Sequence, residues 1–221
     1  MDFILRKALR KINGLRQQLD NVLLGDAEFK KFLAKRPCWV TEVKKEVERI
    51  KKTLTPFITI TVGGTTKDKL IADMEVMPAE VTLYAKGMMA NEAFTISKEV
   101  GKVDLVSLTI ADLGFTTQTR TDAFMTGKFC AEWSAKHLDG YIIELCQPED
   151  GPQLRKQWKD QPNGTFVWMA MDRINSGGGP GVFGVERRSG GGRWLSGGWV
   201  FPDDLWYLGR RFVFRLRKIS A

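Results

Sequence analysis

Between Asn175 and Arg211 the chain carries two triple-glycine clusters, Gly177-Gly178-Gly179 and Gly190-Gly191-Gly192, and three of its seven tryptophans, Trp194, Trp199 and Trp206. Glycine in such density rules out a stable helix. It permits positive φ and close backbone approach. Tryptophan supplies the opposite quality, a large rigid apolar surface whose indole N–H still needs an acceptor. Regular elements are expected to be scarce here, so that long loops are pinned by indoles. A long ordered loop in a compact domain is commonly functional.

The elements before this segment set the fold class. Phe57 to Val62 is β-rich and closed by Gly63-Gly64, and Thr66 begins a short helix with Leu70, Ile71 and Met74. Pro78 suits the first turn of a helix carrying Val81, Tyr84, Ala85 and Met88. Val103 to Thr109 reads as a strand, Arg120 to Leu138 as a helix weakened by Gly127, and Tyr141 to Cys146 as a strand. Pro148 to Trp158 reads as a helix or a helical turn, Phe166 to Met171 as a central apolar strand, and Val182 to Val185 as another strand. Phe212 to Leu216 alternates as a half-buried closing strand. Helices first and strands last give an α+β domain with a small antiparallel sheet and long Gly/Trp-rich loops, over residues 56–221.

Residues 1–55 form a separate unit, a basic amphipathic helical arm. Leu5, Leu9, Ile12, Leu15, Leu19 and Val22 recur three or four apart, and Val40, Val43, Val47, Ile50 and Leu54 form an a/d stripe. Of the net charge of +8, Met1–Leu54 holds +7, with 14 Lys and Arg against 7 Asp and Glu. The remainder holds +1, with 20 against 19. Such an arm makes a homo-oligomer through its helices, or contacts nucleic acid or an acidic protein through its basic face. Glu42, Glu46 and Glu48 interrupt that face and favour the first role.

Catalytic and cofactor patterns are missing. Gly63-Gly64-Thr65-Thr66-Lys67 lacks the spacing of a phosphate loop and reads as a strand-to-helix turn. Glu149-Asp150 and Asp203-Asp204 are adjacent carboxylates, which cap or turn rather than flank a substrate. The single His137 sits at a helix end, and Cys38, Cys130 and Cys146 form neither a disulfide framework nor a zinc pattern. No secretory signal and no apolar run of about 20 residues is present, so the expectation is a cytoplasmic, non-membrane binding protein without cofactor, not an enzyme.

The runs Asp104–Phe115 and Glu144–Arg155 resemble a group of bacterial proteins without an assigned activity. Gly192–Trp199 and Trp206–Arg217 extend the likeness, and here the chain resembles the variable proteins of diversity-generating retroelements. That resemblance covers about Phe57 to Lys218 and implies a C-type-lectin-like fold whose varied side chains form a ligand surface for a protein or other macromolecule. In that family an error-prone reverse transcriptase alters template adenines, so Asn-type codons scatter into small, aromatic and polar residues. Between Leu195 and Arg211 every residue except Trp199 and Trp206 is reachable in this way. The ligand-binding residues expected on this basis are Leu195, Ser196, Gly197, Gly198, Val200, Phe201, Asp203, Leu205, Tyr207, Leu208 and Arg210. Trp194, Trp199, Trp206, Phe212 and Phe214 are expected to turn inward as scaffold. The cysteine pairs and calcium-binding triplets of disulfide-bonded C-type lectins are absent, which argues against calcium-dependent sugar binding.

Overall fold

A computed structural model describes residues 54–219. The expected arm, with its stripe from Leu5 to Ile50, and Cys38 lie outside the described residues. In chain order the elements are β1 (Ile58–Val62), α1 (Lys67–Val76), β2 (Glu80–Val81), α2 (Leu83–Ala90), β3 (Gly101–Thr109), β4 (Thr119–Arg120) and a 3-10 turn (Thr121–Ala123). There follow α3 (Gly127–His137), β5 (Tyr141–Glu144), α4 (Asp150–Gln157), β6 (Thr165–Met169), β7 (Ile174–Ser176), β8 (Gly179–Arg187), β9 (Arg193–Trp199), β10 (Leu205–Trp206) and β11 (Arg211–Lys218). The result is a mixed α+β fold. None of these helices is long and apolar enough to cross a membrane.

Three helices begin at a threonine. The side chains of Thr66, Thr82 and Thr126 accept from the backbone N–H groups of Lys69, Ala85 and Phe129, each satisfying one donor of an uncapped first turn. These caps correct two expected boundaries. Val81 belongs to β2 and α2 starts after Thr82, so Pro78 does not open a helix. The expected helix over Arg120 to Leu138 is instead β4, a 3-10 turn and α3, with Gly127 as the first helical residue. At the strand-to-helix turn Gly63 and Gly64 have positive φ, and a Cβ on Gly63 would sit 1.9 Å from the Glu99 carbonyl oxygen.

The sheet is larger than expected and not purely antiparallel. Nine strands join in the order β1-β3-β11-β6-β8-β9-β2, with β5 on β11 and β7 on β8. The pairs β11–β6 and β2–β9 are parallel. The Gly/Trp-rich stretch is mostly strand: β8 and β9 pair in register from Gly181↔Trp199 to Arg187↔Arg193, turning at Gly190–Gly192. Gly181, Gly184, Gly197 and Gly198 serve the strands, because they let bulky neighbours lie across the backbone, whereas Gly177 and Gly178 and the cluster at 190–192 form the turns. Strand β11 is central rather than closing, with β3 on one edge and β6 and β5 on the other. Both faces of β11 are therefore covered, and Val213 is buried along with Phe212 and Phe214.

Helices α1, α2 and α4 cover one face of the sheet. Leu70, Met74, Ala85, Met88 and Leu154 join Ile60, Phe183, Val185 and Leu195 in the core. Buried ionic groups tie α4 down. Glu149 accepts from the Gly63 and Ser97 amides at 2.9 and 2.7 Å, and Asp150 receives both Arg215 guanidinium donors at 2.6 and 2.7 Å.

Candidate functional site: an aromatic sheet face and the segment beside it

Strand alternation sends Val167, Phe183, Val185, Leu195 and Gly197 toward α2 and α4. The intervening residues lie on the other face. Register places Phe166, Glu186 and Trp194 in one row and Trp168, Gly184 and Ser196 in the next, with Val182 opposite Gly198. A Cβ on Gly184 would meet Phe166 Cζ at 2.6 Å, and one on Gly198 would meet Trp168 Cη2 at 2.7 Å. The rings thus lie across glycine backbone. Phe166, Trp168 and Trp194 remain only partly buried. The Arg188 guanidinium sits 3.9 Å from the Trp194 ring centroid, and its Nε is 3.6 Å from Glu186.

Trp206 joins this face to the following segment. Its ring packs 5.7 Å from Trp168 and 5.0 Å from Phe212, and its Nε1 donates to Thr121 Oγ1 at 2.7 Å. The segment is fixed from both ends. Asp204 accepts from the Phe201 amide at 2.8 Å, while the carbonyls of Asp204 and Pro202 accept from Thr121 and Asp122 at 3.0 and 2.9 Å. Strand β10 then pairs with β4. On this rigid backbone Trp199, Phe201, Leu205 and Tyr207 are 57, 40, 59 and 63 % exposed. Asp203 and Arg210 are exposed as well. Nearby, Arg120 and Asp122 pair at 2.9 Å. Their hydrogen bond holds the Asp122 carboxyl below its ordinary pKa and the Arg120 guanidinium above its own.

The expected ligand residues therefore divide. Phe201, Asp203, Leu205, Tyr207 and Arg210 are exposed, and Ser196, Gly198 and Leu208 are half-buried. Leu195 and Val200 are fully buried and cannot face a ligand. Gly197 lies beneath Tyr84 and Met88, where a Cβ would be 2.6 and 2.9 Å from their nearest atoms. Trp199 reverses its expected role. It shares the inward face with Leu195 and Gly197, but at the end of β9 it meets the edge of Tyr84, at 6.3 Å, the ring of Phe201, at 6.5 Å, and the Gly179 backbone. Val200 turns inward in its place, its amide bonded to the Pro180 carbonyl. Trp206 and Trp194 are half-buried, and Phe212 and Phe214 fully so.

Sequence reasoning missed Phe166, Trp168, Glu186 and Arg188. The signal was the alternation of Phe166 and Trp168 with Val167 and Met169, which the reading of a continuous apolar strand passed over.

Elsewhere a cavity of about 410 Å³ is lined by Gly127, Cys130, Glu144, Gln147 and Arg215. Its two charged groups are engaged already: Glu144 with Arg217 at 2.7 Å and Arg215 with Asp150. Burial pushes the Cys130 thiol up to about 12, away from nucleophilic use. Comparison of the chain with protein-family models, with curated proteins and with solved structures found no match.

Proposed function

We propose that this chain is a ligand-binding protein rather than an enzyme, with a C-type-lectin-like domain that displays the segment from Trp199 to Arg210 to a protein or other macromolecular ligand. The observation that carries the reading is the exposure of Trp199, Phe201, Leu205 and Tyr207 within one hydrogen-bonded segment. Large apolar side chains grouped in this way mark interaction surfaces, and aromatic residues with arginine dominate binding hot spots. The contacting set is Phe201, Asp203, Leu205, Tyr207 and Arg210, joined by Trp199. Leu195 and Val200 are withdrawn from it because they fill the core, and Gly197 because it lies beneath Tyr84 and Met88. Residues 1–55 act as an oligomerising arm.

The retroelement reading adds that the displayed codons vary between copies while the anchors do not. Its test is the DNA around the coding sequence. An imperfect repeat of this segment, mismatched only at template adenines and lying beside a reverse transcriptase gene, is expected. A locus without such a repeat rejects diversification. The binding role is tested separately, by selecting ligands for the full chain from a peptide display library and repeating the selection with Tyr207→Ala. Ligands whose binding ignores that substitution reject the surface.

A further inference from the structure

The turn end of the β8–β9 hairpin gathers three arginines on one face of the sheet. Arg187 and Arg193 are direct cross-strand partners. Alternation puts both on the face of Phe183, Val185, Leu195 and Gly197, the face that α2 and α4 cover. Directly opposed residues hold their Cβ atoms about 5 Å apart, so like charges in such a pair destabilise a sheet. The third arginine, Arg155 of α4, is fully buried and donates to the Glu186 carbonyl of β8 at 3.1 Å. Its other acceptors are the Gln161 side chain and the Trp158 carbonyl, the latter at 2.6 Å. Arg187 donates to the Gln161 carbonyl at 2.7 Å and Arg193 to that of Pro78 at 3.2 Å. All of these acceptors are neutral.

No carboxylate compensates them. Among the described residues none of the three makes an ion pair. Glu186 and Glu80 belong to the row of Trp194 on the opposite face, where Glu186 meets Arg188 at 3.6 Å. Asp73 of α1 is taken by Lys156 at 2.6 Å and by Lys69. Asp160, in the loop before Gln161, is exposed. Arg155 Nε and Arg187 Nε are buried with no acceptor among the described residues. Burial first, then repulsion from Arg193 and Arg187, pulls the Arg155 guanidinium down to about 10. A buried cation with cationic neighbours is costly unless an anion compensates it.

The needs of the fold explain Arg155, which bolts α4 and the loop after it to β8. They do not explain Arg187 opposite Arg193, since an acid at either position would serve the sheet better. Two guanidiniums side by side suit an anion, because each presents a planar fork of donors. A carboxylate cancels one charge and offers two oxygens. A phosphate dianion cancels two and has oxygens for both forks. Arg187 and Arg193 are half-buried, so the pair is open to solvent while Arg155 is closed beneath it.

We propose that Arg187 and Arg193 bind a phosphate group, free or as the end of a small phosphomonoester, with Arg155 supplying further positive charge from beneath. The site stands at the turn end of β9, whereas Trp199 and the exposed segment begin at its other end. It is distinct from the surface proposed for a macromolecular ligand, so either can fail alone.

The test is isothermal titration of the full chain with inorganic phosphate, with glycerol phosphate and with acetate, each against chloride at matched ionic strength. Saturable binding of inorganic phosphate is expected, and none of acetate. Glycerol phosphate binding as well shows that the site reads the group at the end of an ester, and its failure to bind confines the site to the free anion. Arg193→Gln and Arg187→Gln should each weaken phosphate binding about tenfold or more. Thermal melts separate a binding role from a structural one. In chloride, Arg193→Gln should melt at or above the temperature of the parent, because it removes an uncompensated charge. Phosphate should raise the melting temperature of the parent and leave that of the variant unmoved. Tyr207→Ala should bind phosphate as the parent does, even if it loses the ligand of the exposed segment. Four outcomes overturn the proposal. One is no phosphate binding above the chloride background. Another is acetate binding as tightly as phosphate. A third is affinity unmoved by both arginine substitutions, which places binding elsewhere on the chain. The last is an Arg193→Gln variant that melts below the parent in chloride and is still raised by phosphate, which marks the arginine as structural.

Discussion

Trp206 Nε1 donates to Thr121 Oγ1 at 2.7 Å, and this bond ties the indole of β10 to the 3-10 turn that follows β4. Thr121 is fully buried, and its own amide donates to the Asp204 carbonyl in the same segment. Two contacts from one residue thus set the height of the ring that joins the aromatic face to the exposed residues. Thr121→Val keeps the shape and removes the acceptor. The half-buried indole N–H then loses its partner, at a cost of about 1–2 kcal/mol. Urea denaturation should show the lower midpoint with an unchanged m value. An unchanged midpoint would mean that water replaces the hydroxyl without penalty.

Asp150 and Arg215 form a bidentate pair in which the carboxylate is fully buried and the guanidinium mostly so. Removing one charge strands the other. Asp150→Asn should cost roughly 3–5 kcal/mol, whereas replacing both residues by apolar ones of similar size should recover much of that loss. Equilibrium unfolding of the single and double variants measures the coupling. Additive losses would show that the two residues act independently.

The cysteines give a pH-dependent prediction. Burial raises the Cys130 thiol to about 12 and Cys146 well above its usual value of 9.0. A thiol whose folded value lies above its unfolded one contributes stability that is complete below the unfolded value and is lost as pH rises toward the folded one. The protein should therefore lose stability above about pH 9, while both thiols resist iodoacetamide at pH 8 until denaturant is added. Rapid native-state alkylation at Cys130 or Cys146 would contradict their burial. Mass spectrometry separates these sites from Cys38.

Local chemistry made much of this fold legible. The Gly63-Gly64 turn, the Thr66 cap and the strand over Val103 to Thr109 follow from φ requirements, side-chain oxygens and alternation acting over a few residues. The misreadings arose where partners distant in sequence decide. Gly198 was expected in a ligand loop, but the ring of Trp168 lies across it, as that of Phe166 lies across Gly184, and that need appears only once β6, β8 and β9 are side by side. The position of β11 was hidden for the same reason, because its strand partners come from three separate parts of the chain. In the candidate site, the resemblance set Leu205 and Tyr207 outward and Trp206 inward, and the structure exposes the first two and half-buries the third. Leu195, Val200 and Trp199 differ from expectation: Leu195 faces the core from within β9, Trp199 is left exposed at the end of that strand, and Val200 turns inward just beyond it.

That difference between positions gives the sharpest prediction for a displayed surface. Phe201, Asp203, Leu205, Tyr207 and Arg210 have side chains in solvent, so substitutions there should change stability by no more than about 0.5 kcal/mol. Gly197 sits under Tyr84 and Met88, and Gly198 under Trp168. Alanine at either position must displace a ring or a strand, at about 1–3 kcal/mol. Tyr84 is itself fixed by its hydroxyl donating to the Gly179 carbonyl at 2.9 Å, so it cannot swing aside freely. A library randomised at all seven positions and sorted for folding by protease resistance should accept broad variation at the five exposed sites. It should return to glycine at 197 and 198. Equal tolerance across the seven would show that the β9 backbone yields, and that the rigid support invoked for the exposed segment is absent. Strict retention at the exposed five would instead mark them as structural and remove the basis for a variable ligand surface.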